Sequence, residues 1–259
     1  MPTSVIEVVY LLGIGLVGGI ITSLVGGASL VTYPALLAAG LPPVTAVVVN
    51  LVSLMPANLS AAWWDRSQLP PFSAGMWALL GISAVGATLG AWLLLVTPEK
   101  IFVALVPLLL GLSTVLFAYA GPIAKWLERG AASAAAAEQS RWTATIVSMV
   151  PISIYGGYFG AGAGVMLLAI LMLVASGDYR GANAIKNLVS GVNCLMASVV
   201  YVVQDAVPWA PVVVITAGAL VGARIGVKIV RIAPREAMRR AVIVIGALLT
   251  AAFAWKYWL

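Results

Sequence analysis

Apolar stretches at approximately 5–25, 28–39, 44–64, 73–96, 101–120, 142–159, 163–176, 181–203, 209–231 and 238–258 occupy most of this chain and leave little between them. Turn signals mark the links: Leu41-Pro42-Pro43, Leu69-Pro70-Pro71, Thr97-Pro98-Glu99-Lys100, Val207-Pro208 and Ala233-Pro234. Several runs reach the roughly 20 residues that a helix needs to cross a hydrocarbon core of about 30 Å. Charged residues make up only 8% of the chain, against about 25% in a soluble domain, so the polar surface to face water on all sides is missing. The sequence therefore predicts an all-α, polytopic membrane protein. The only charge near the start of the first run is Glu7, with no basic segment before it, so that run reads as a retained membrane segment rather than a cleaved signal.

An internal repeat organises these runs. Asn50-Leu51-Val52-Ser53 recurs as Asn187-Leu188-Val189-Ser190, and at the same spacing Gly19 matches Gly156, Gly27 matches Gly164 and Gly40 matches Gly177. Val85-Gly86-Ala87-x-x-Gly90 then recurs as Val221-Gly222-Ala223-x-x-Gly226, followed by Pro98 and Pro234, one residue closer. The expected organisation is a first membrane repeat over 1–120, a linker over 121–141 and a second membrane repeat over 142–259. The linker contains an alanine run that is able to extend a helix.

Each half opens with a run that glycines interrupt. Residues 7–39 as one helix would extend about 50 Å at 1.5 Å per residue, well beyond the hydrocarbon core. A break is expected at Gly26-Gly27, and its counterpart at Gly160-Ala161-Gly162-Ala163-Gly164, because glycine adopts the conformations that end helices and admits close approach of a ligand. Loop charges bear on what the breaks do. If each broken run crosses once, Lys100, Arg180, Lys228, Arg231, Arg235, Arg239 and Arg240 face Arg66, Lys125, Arg129, Arg141 and Lys256, a split of 7 to 5. If each returns to its starting side, as a re-entrant hairpin or a pair of crossings, only Lys100 and Lys256 remain in the minority, a split of 10 to 2. The positive-inside rule prefers the second arrangement. It implies inverted-topology halves, with both termini on the non-cytoplasmic side.

Several kinds of chemistry lack their residues. With no histidine and one cysteine, Cys194, an intrachain disulfide, a His- or Cys-rich metal site and imidazole catalysis are excluded. The acids Glu7, Asp65, Glu99, Glu128, Glu138, Asp178, Asp205 and Glu236 all fall in termini, loops or helix ends. No carboxylate is placed for a mid-membrane proton relay, which points to uniport or to coupling through a substrate's own protonation. The net charge of +6 follows from basic loops and suggests membrane orientation rather than nucleic acid. Trp63, Trp64, Trp142, Trp209, Trp255 and Trp258 lie near predicted helix ends and read as interfacial belts.

Broken helices at corresponding positions of inverted halves point to a midplane transport site. A helix that starts inside the membrane exposes unpaired N–H groups and the positive end of its dipole, both of which favour an anion. Half-helices starting near Ala28-Ser29 and near Val165 would supply two such ends. The alternative is that the glycines only allow close helix packing. Asn and Ser three apart share a helical face, and Lys186, Asn187, Ser190 and Asn193 fall within a sector of about 120°. One cation with amide and hydroxyl donors suits a small oxyanion; the alternatives are structural hydrogen bonding and, for Lys186, snorkelling to the surface. Arg224, within an apolar run and followed by Lys228 and Arg231, reads as the first rung of a snorkelling ladder, with a functional ionisable residue as the alternative. The candidate substrate-binding set is Gly26, Gly27, Ser29, Asn50 and Ser53 with Gly160, Gly162, Gly164, Lys186, Asn187, Ser190 and Asn193.

At these residues the sequence resembles the TauE/SafE family of sulfite exporter-like proteins and sulfonate permeases. The resemblance rests on Gly26-Gly27, Tyr33-Pro34-Ala35-Leu36, Gly40 and Asn50, and on Tyr155-Gly156-Gly157-Tyr158-Phe159-Gly160-Ala161-Gly162-Ala163-Gly164, Gly177, Lys186-Asn187 and Asn193. It implies movement of a small sulfur-containing anion, such as sulfite, sulfoacetate or another organosulfonate, across the cytoplasmic membrane. The chain departs from internal symmetry where Val49 stands opposite Lys186, so a site between the halves is asymmetric in charge. The expected partners are the anion, the lipid bilayer and a second copy of the chain in a homo-oligomer, with no nucleic acid, cofactor or metal. An anion channel, or a membrane-embedded enzyme, is the alternative class.

Overall fold

The computed structural model describes residues 4–24, 26–128, 134–174 and 178–229, with isolated positions from 244 to 255. Helices α1 (Val5–Leu24), α2 (Ser29–Ala38), α3 (Pro43–Trp64), α4 (Ala74–Val96), α5 (Glu99–Glu128), α6 (Ala134–Tyr158), α7 (Ala163–Val174), α8 (Tyr179–Val203) and α9 (Trp209–Ile229) follow in order. No strand occurs among the described residues. The predicted apolar run at 238–258 lies largely outside them. Among the described residues five helices, α1, α3, α4, α8 and α9, are long and apolar enough to cross a membrane. Helices α2 and α7, with 10 and 12 residues, reach only about 15–18 Å at 1.5 Å per residue.

Local chemistry accounts for the ends of these helices. Pro42 is extended and Pro43 takes the first position of α3, where its missing N–H costs nothing. Ser73 accepts from the Met76 N–H to cap α4, and Asp178 accepts from the Arg180 and Gly181 N–H groups to cap α8. The predicted 121–141 linker has helical ends, since α5 continues to Glu128 and α6 begins within the alanine run at Ala134. Helix α7 starts two residues before the expected Val165.

On α4 the small residues are buried and large ones exposed, the reverse of a helix in a soluble bundle. Helix α4 turns Ser83, Gly86, Ala87, Gly90 and Ala91 inward, while Val85, Leu89, Trp92 and Val96 form an exposed stripe. Where water cannot drive apolar burial, close backbone approach does the packing instead. The repeated Val-Gly-Ala-x-x-Gly shows how. A Cβ on Gly86 or Gly90 would run into α6 at Ser153–Ile154, and one on Gly222 or Gly226 into α1 at Leu16–Ile20. Thus α4 lies against α6 and α9 against α1, while α3 and α8 pack together at the centre and touch α9 and α4 respectively.

Among the tryptophans, Trp63, Trp64, Trp209 and Trp255 are exposed as belt residues should be. Trp142 differs: it is half-buried, and its ring covers Gly75 at the start of α4. Trp258 lies outside the described residues.

Candidate functional site

Both predicted breaks are present, and they touch. Gly26 and Gly27 have φ of 78° and 77°, and Gly160 and Gly162 have φ of 74° and 77°, left-handed values that side chains disfavour by about 1–2 kcal/mol. A Cβ on Gly26 would sit 2.7 Å from the Gly164 carbonyl carbon, so the two breaks meet backbone to backbone. Tyr33 of α2 closes the contact by packing edge-on against Phe159, with centroids 5.1 Å apart. Tyr155 steadies the second break by donating its hydroxyl to the Ala161 carbonyl at 2.8 Å.

A cavity of about 40 Å³ opens beside this junction. Of the candidate residues, Gly27, Ser29, Gly160, Gly164, Ser190 and Asn193 line it. Gly26 and Gly162 shape the breaks without forming its wall. Helix α3 turns Leu51, Leu54 and Asn58 to the cavity, which leaves Asn50 and Ser53 to the side. There Asn50 donates to Ser29 Oγ at 2.7 Å and accepts from the Thr32 hydroxyl, while the Ser53 hydroxyl reaches the Val212 carbonyl of α9 at 3.4 Å. These first-half side chains hold α2 and α9 in place.

The second half is built differently. Helix α8 carries Lys186, Asn187, Ser190, Asn193 and Cys194 along one stripe, of which the last three line the cavity. Both side-chain polar atoms of Asn187 and the hydroxyl of Ser190 are buried without a hydrogen-bond partner, a state that costs about 1–3 kcal/mol per group unless something binds there. Asn193 donates to the Ser153 carbonyl at 3.0 Å and spans to the Ser83 carbonyl at 3.4 Å. Lys186 does not snorkel. It is fully buried, and its Nζ donates to the Thr22 carbonyl at 2.5 Å. Among the described residues it has no carboxylate partner, because the one buried acid, Asp65, faces Arg180 at 3.8 Å.

Residues 11–253 match the family model described as Sulfite exporter TauE/SafE. The chain belongs to the TauE/SafE family. Curated relatives of similar length agree with this placement. A "Probable membrane transporter protein" of Haemophilus influenzae is 25% identical over 242 residues, covering 92% of this chain and 91% of its own. "Probable membrane transporter protein YfcA" of Escherichia coli K12 is 22% identical over 244 residues, 92% and 86% of the two chains. "Probable membrane transporter protein ORF9" of Sinorhizobium sp. is 29% identical over 222 residues, 81% and 78%. No solved structure matches. The chain is a multi-pass protein of a membrane transporter family.

In this TauE/SafE chain, three donors on one face of α8 stitch it to the end of α1. Tyr179 donates to the Leu24 carbonyl at 2.6 Å, Asn183 to Ser23 at 2.9 Å and Lys186 to Thr22. They satisfy three of the carbonyls that the end of a helix leaves open, and Lys186 puts a cation at the negative end of its dipole. Sequence reasoning missed Tyr179, Asn183 and the cavity residues Thr22 and Asn58, whose side chains hydrogen-bond each other at 3.2 Å. Asn183 was within reach, since it lies three residues before Lys186 on the same face. Arg224 is exposed, with its guanidinium 5.9 Å from the centre of the Trp64 ring, an outward placement that suits the ladder.

Proposed function

We propose that this TauE/SafE member carries a small sulfur-containing anion, sulfite or an organosulfonate, across the cytoplasmic membrane by alternating access. The observation that carries the proposal is the pairing of a buried, acid-free cation with unpartnered donors. Lys186, Asn187 and Ser190 share one face of α8 next to the cavity where the breaks meet. A buried charge needs a counter-charge, and an anion brings one together with acceptors for the orphaned amide and hydroxyl.

On this reading the halves 1–120 and 142–259 are inverted repeats joined by 121–141, with re-entrant breaks and both termini on the non-cytoplasmic side. The reciprocal packing of α9 on α1 and of α4 on α6 supports a two-fold relation, and the split of basic residues supports the orientation. Rocking of one half against the other would expose the site to each side in turn. The sulfur anion rests on the family's description. A membrane enzyme is disfavoured because the site offers neither histidine nor a free carboxylate.

Uptake of labelled sulfite and sulfonates into proteoliposomes, wild type against Asn187→Ala, tests the proposal. Saturable uptake with counterflow, lost in the variant, is expected. Equal rates with every anion would remove the site; flux that neither saturates nor shows counterflow would indicate a channel.

A further inference from the structure

We infer that the site selects by charge: it takes a monovalent oxyanion, with Lys186 as the counter-charge that leaves the Thr22 carbonyl when the anion arrives. This rests on the transporter reading and narrows its substrate class.

The inventory of charge around the cavity decides the valence. Lys186 is the one buried cation among the described residues, and Asp65, the one buried acid, already faces Arg180. Arg224 points outward. The dipoles of α2 and α7 add little net charge. Each break sets a helix C-terminus, Leu24 or Tyr158, within a few residues of a helix N-terminus, Ser29 or Ala163. The negative and positive ends, each equivalent to about half a unit charge, offset one another. The site therefore carries close to one positive charge. A monoanion neutralises it. A dianion leaves a net negative charge in the membrane interior, and its desolvation cost is about fourfold higher because Born energy scales with the square of the charge.

The lining agrees with that balance. The unpartnered Ser190 hydroxyl lines the cavity and the unpartnered Asn187 amide shares its face of α8 just outside the lining, both donors for oxygens. Leu51, Leu54 and Leu167 also line the cavity and suit a methyl better than a charged oxygen. Lys186 has a role in both states. With the site empty it closes the end of α1 through Thr22, a residue that itself lines the cavity. With the site full, its charge is drawn to the anion and the α1–α8 stitch loses its innermost link.

Methanesulfonate and sulfate form a discriminating pair, nearly equal in shape and differing by one charge. In proteoliposomes of the full chain taking up labelled sulfite on the acid side of neutrality, methanesulfonate is expected to compete at least tenfold more strongly than sulfate. Lys186→Gln should weaken methanesulfonate competition at least tenfold and flatten the preference. Sulfate competing as well as methanesulfonate overturns the inference, as does a Lys186→Gln protein that keeps the preference. If that variant fails to fold, the wild-type competition still decides. Absence of uptake for every sulfur anion would remove the transporter reading, and this inference with it.

Discussion

Asn50 and Asn187 occupy equivalent places in the repeat, yet their side chains are treated in opposite ways. Asn50 is bonded at both ends, to Ser29 and to Thr32. Asn187 is as deeply buried and bonded at neither. The difference arises on the neighbouring half-helix. At the repeat spacing, Ser29 and Thr32 of α2 become Met166 and Ala169 of α7, so the hydroxyls that satisfy the first amide have no counterpart beside the second. In the two similar frames of the repeated sequence pattern, one asparagine is a strut and the other is left with free donors. Lys186 against Val49 adds the charge to the same side.

The largest expected effect tests whether the two frames meet as described. Gly26→Val meets a left-handed φ and the backbone of Gly164 at once, and should cost at least about 3 kcal/mol, or all folded protein. Gly40→Ala, at φ 88° but with nothing within 4 Å, should cost only about 1–2 kcal/mol. Thermal midpoints in detergent compare them; equal losses would mean that the breaks do not abut.

Next comes the pair itself. Asn187→Ala should lower transport at least tenfold, about 1.4 kcal/mol, while leaving the thermal midpoint unchanged or raised, since an unsatisfied amide is removed. Asn50→Ala should do the opposite, losing about 1–3 kcal/mol of stability through two broken hydrogen bonds while uptake per folded molecule persists. If both variants behave alike, the asymmetry is not functional.

A smaller effect comes from copying one frame into the other. Ala169→Thr places a hydroxyl where Thr32 stands in the first half, and should stabilise by about 1 kcal/mol by satisfying Asn187. Uptake should fall with it. The smallest effect belongs to Arg224→Gln, an exposed cation, which should change stability by no more than about 0.5 kcal/mol and leave anion preference intact, unlike the buried Lys186.

Much of this architecture could be read in the residues. Apolar runs and proline punctuation placed most helix ends within a few residues, but missed that α5 continues to Glu128 and that α6 begins at Ala134. Helix length against membrane thickness required a break at Gly26-Gly27, and the repeat carried it to Gly160–Gly164. The repeat alignment already contained the Ser29/Met166 and Thr32/Ala169 differences. Their consequence depends on which side chains share a face with Asn50, and that emerges only when α2 folds back onto α3. The α1–α8 stitch was illegible for another reason: its acceptors are the backbone carbonyls of Thr22, Ser23 and Leu24, which every residue possesses. Helical spacing groups Ser53 with Asn50 but does not say that α9 presents the Val212 carbonyl to its hydroxyl.

The central claim is that the second-half stripe of α8, and not its first-half counterpart, receives the anion. Selenite, an anomalously scattering analogue of sulfite, locates it directly when crystals of the full chain are soaked and anomalous difference maps are calculated. A peak within hydrogen-bonding reach of Asn187 and Ser190, beside Gly27 and Gly164, is expected. A peak at Asn50, or none near α8 at concentrations that block uptake, would contradict it.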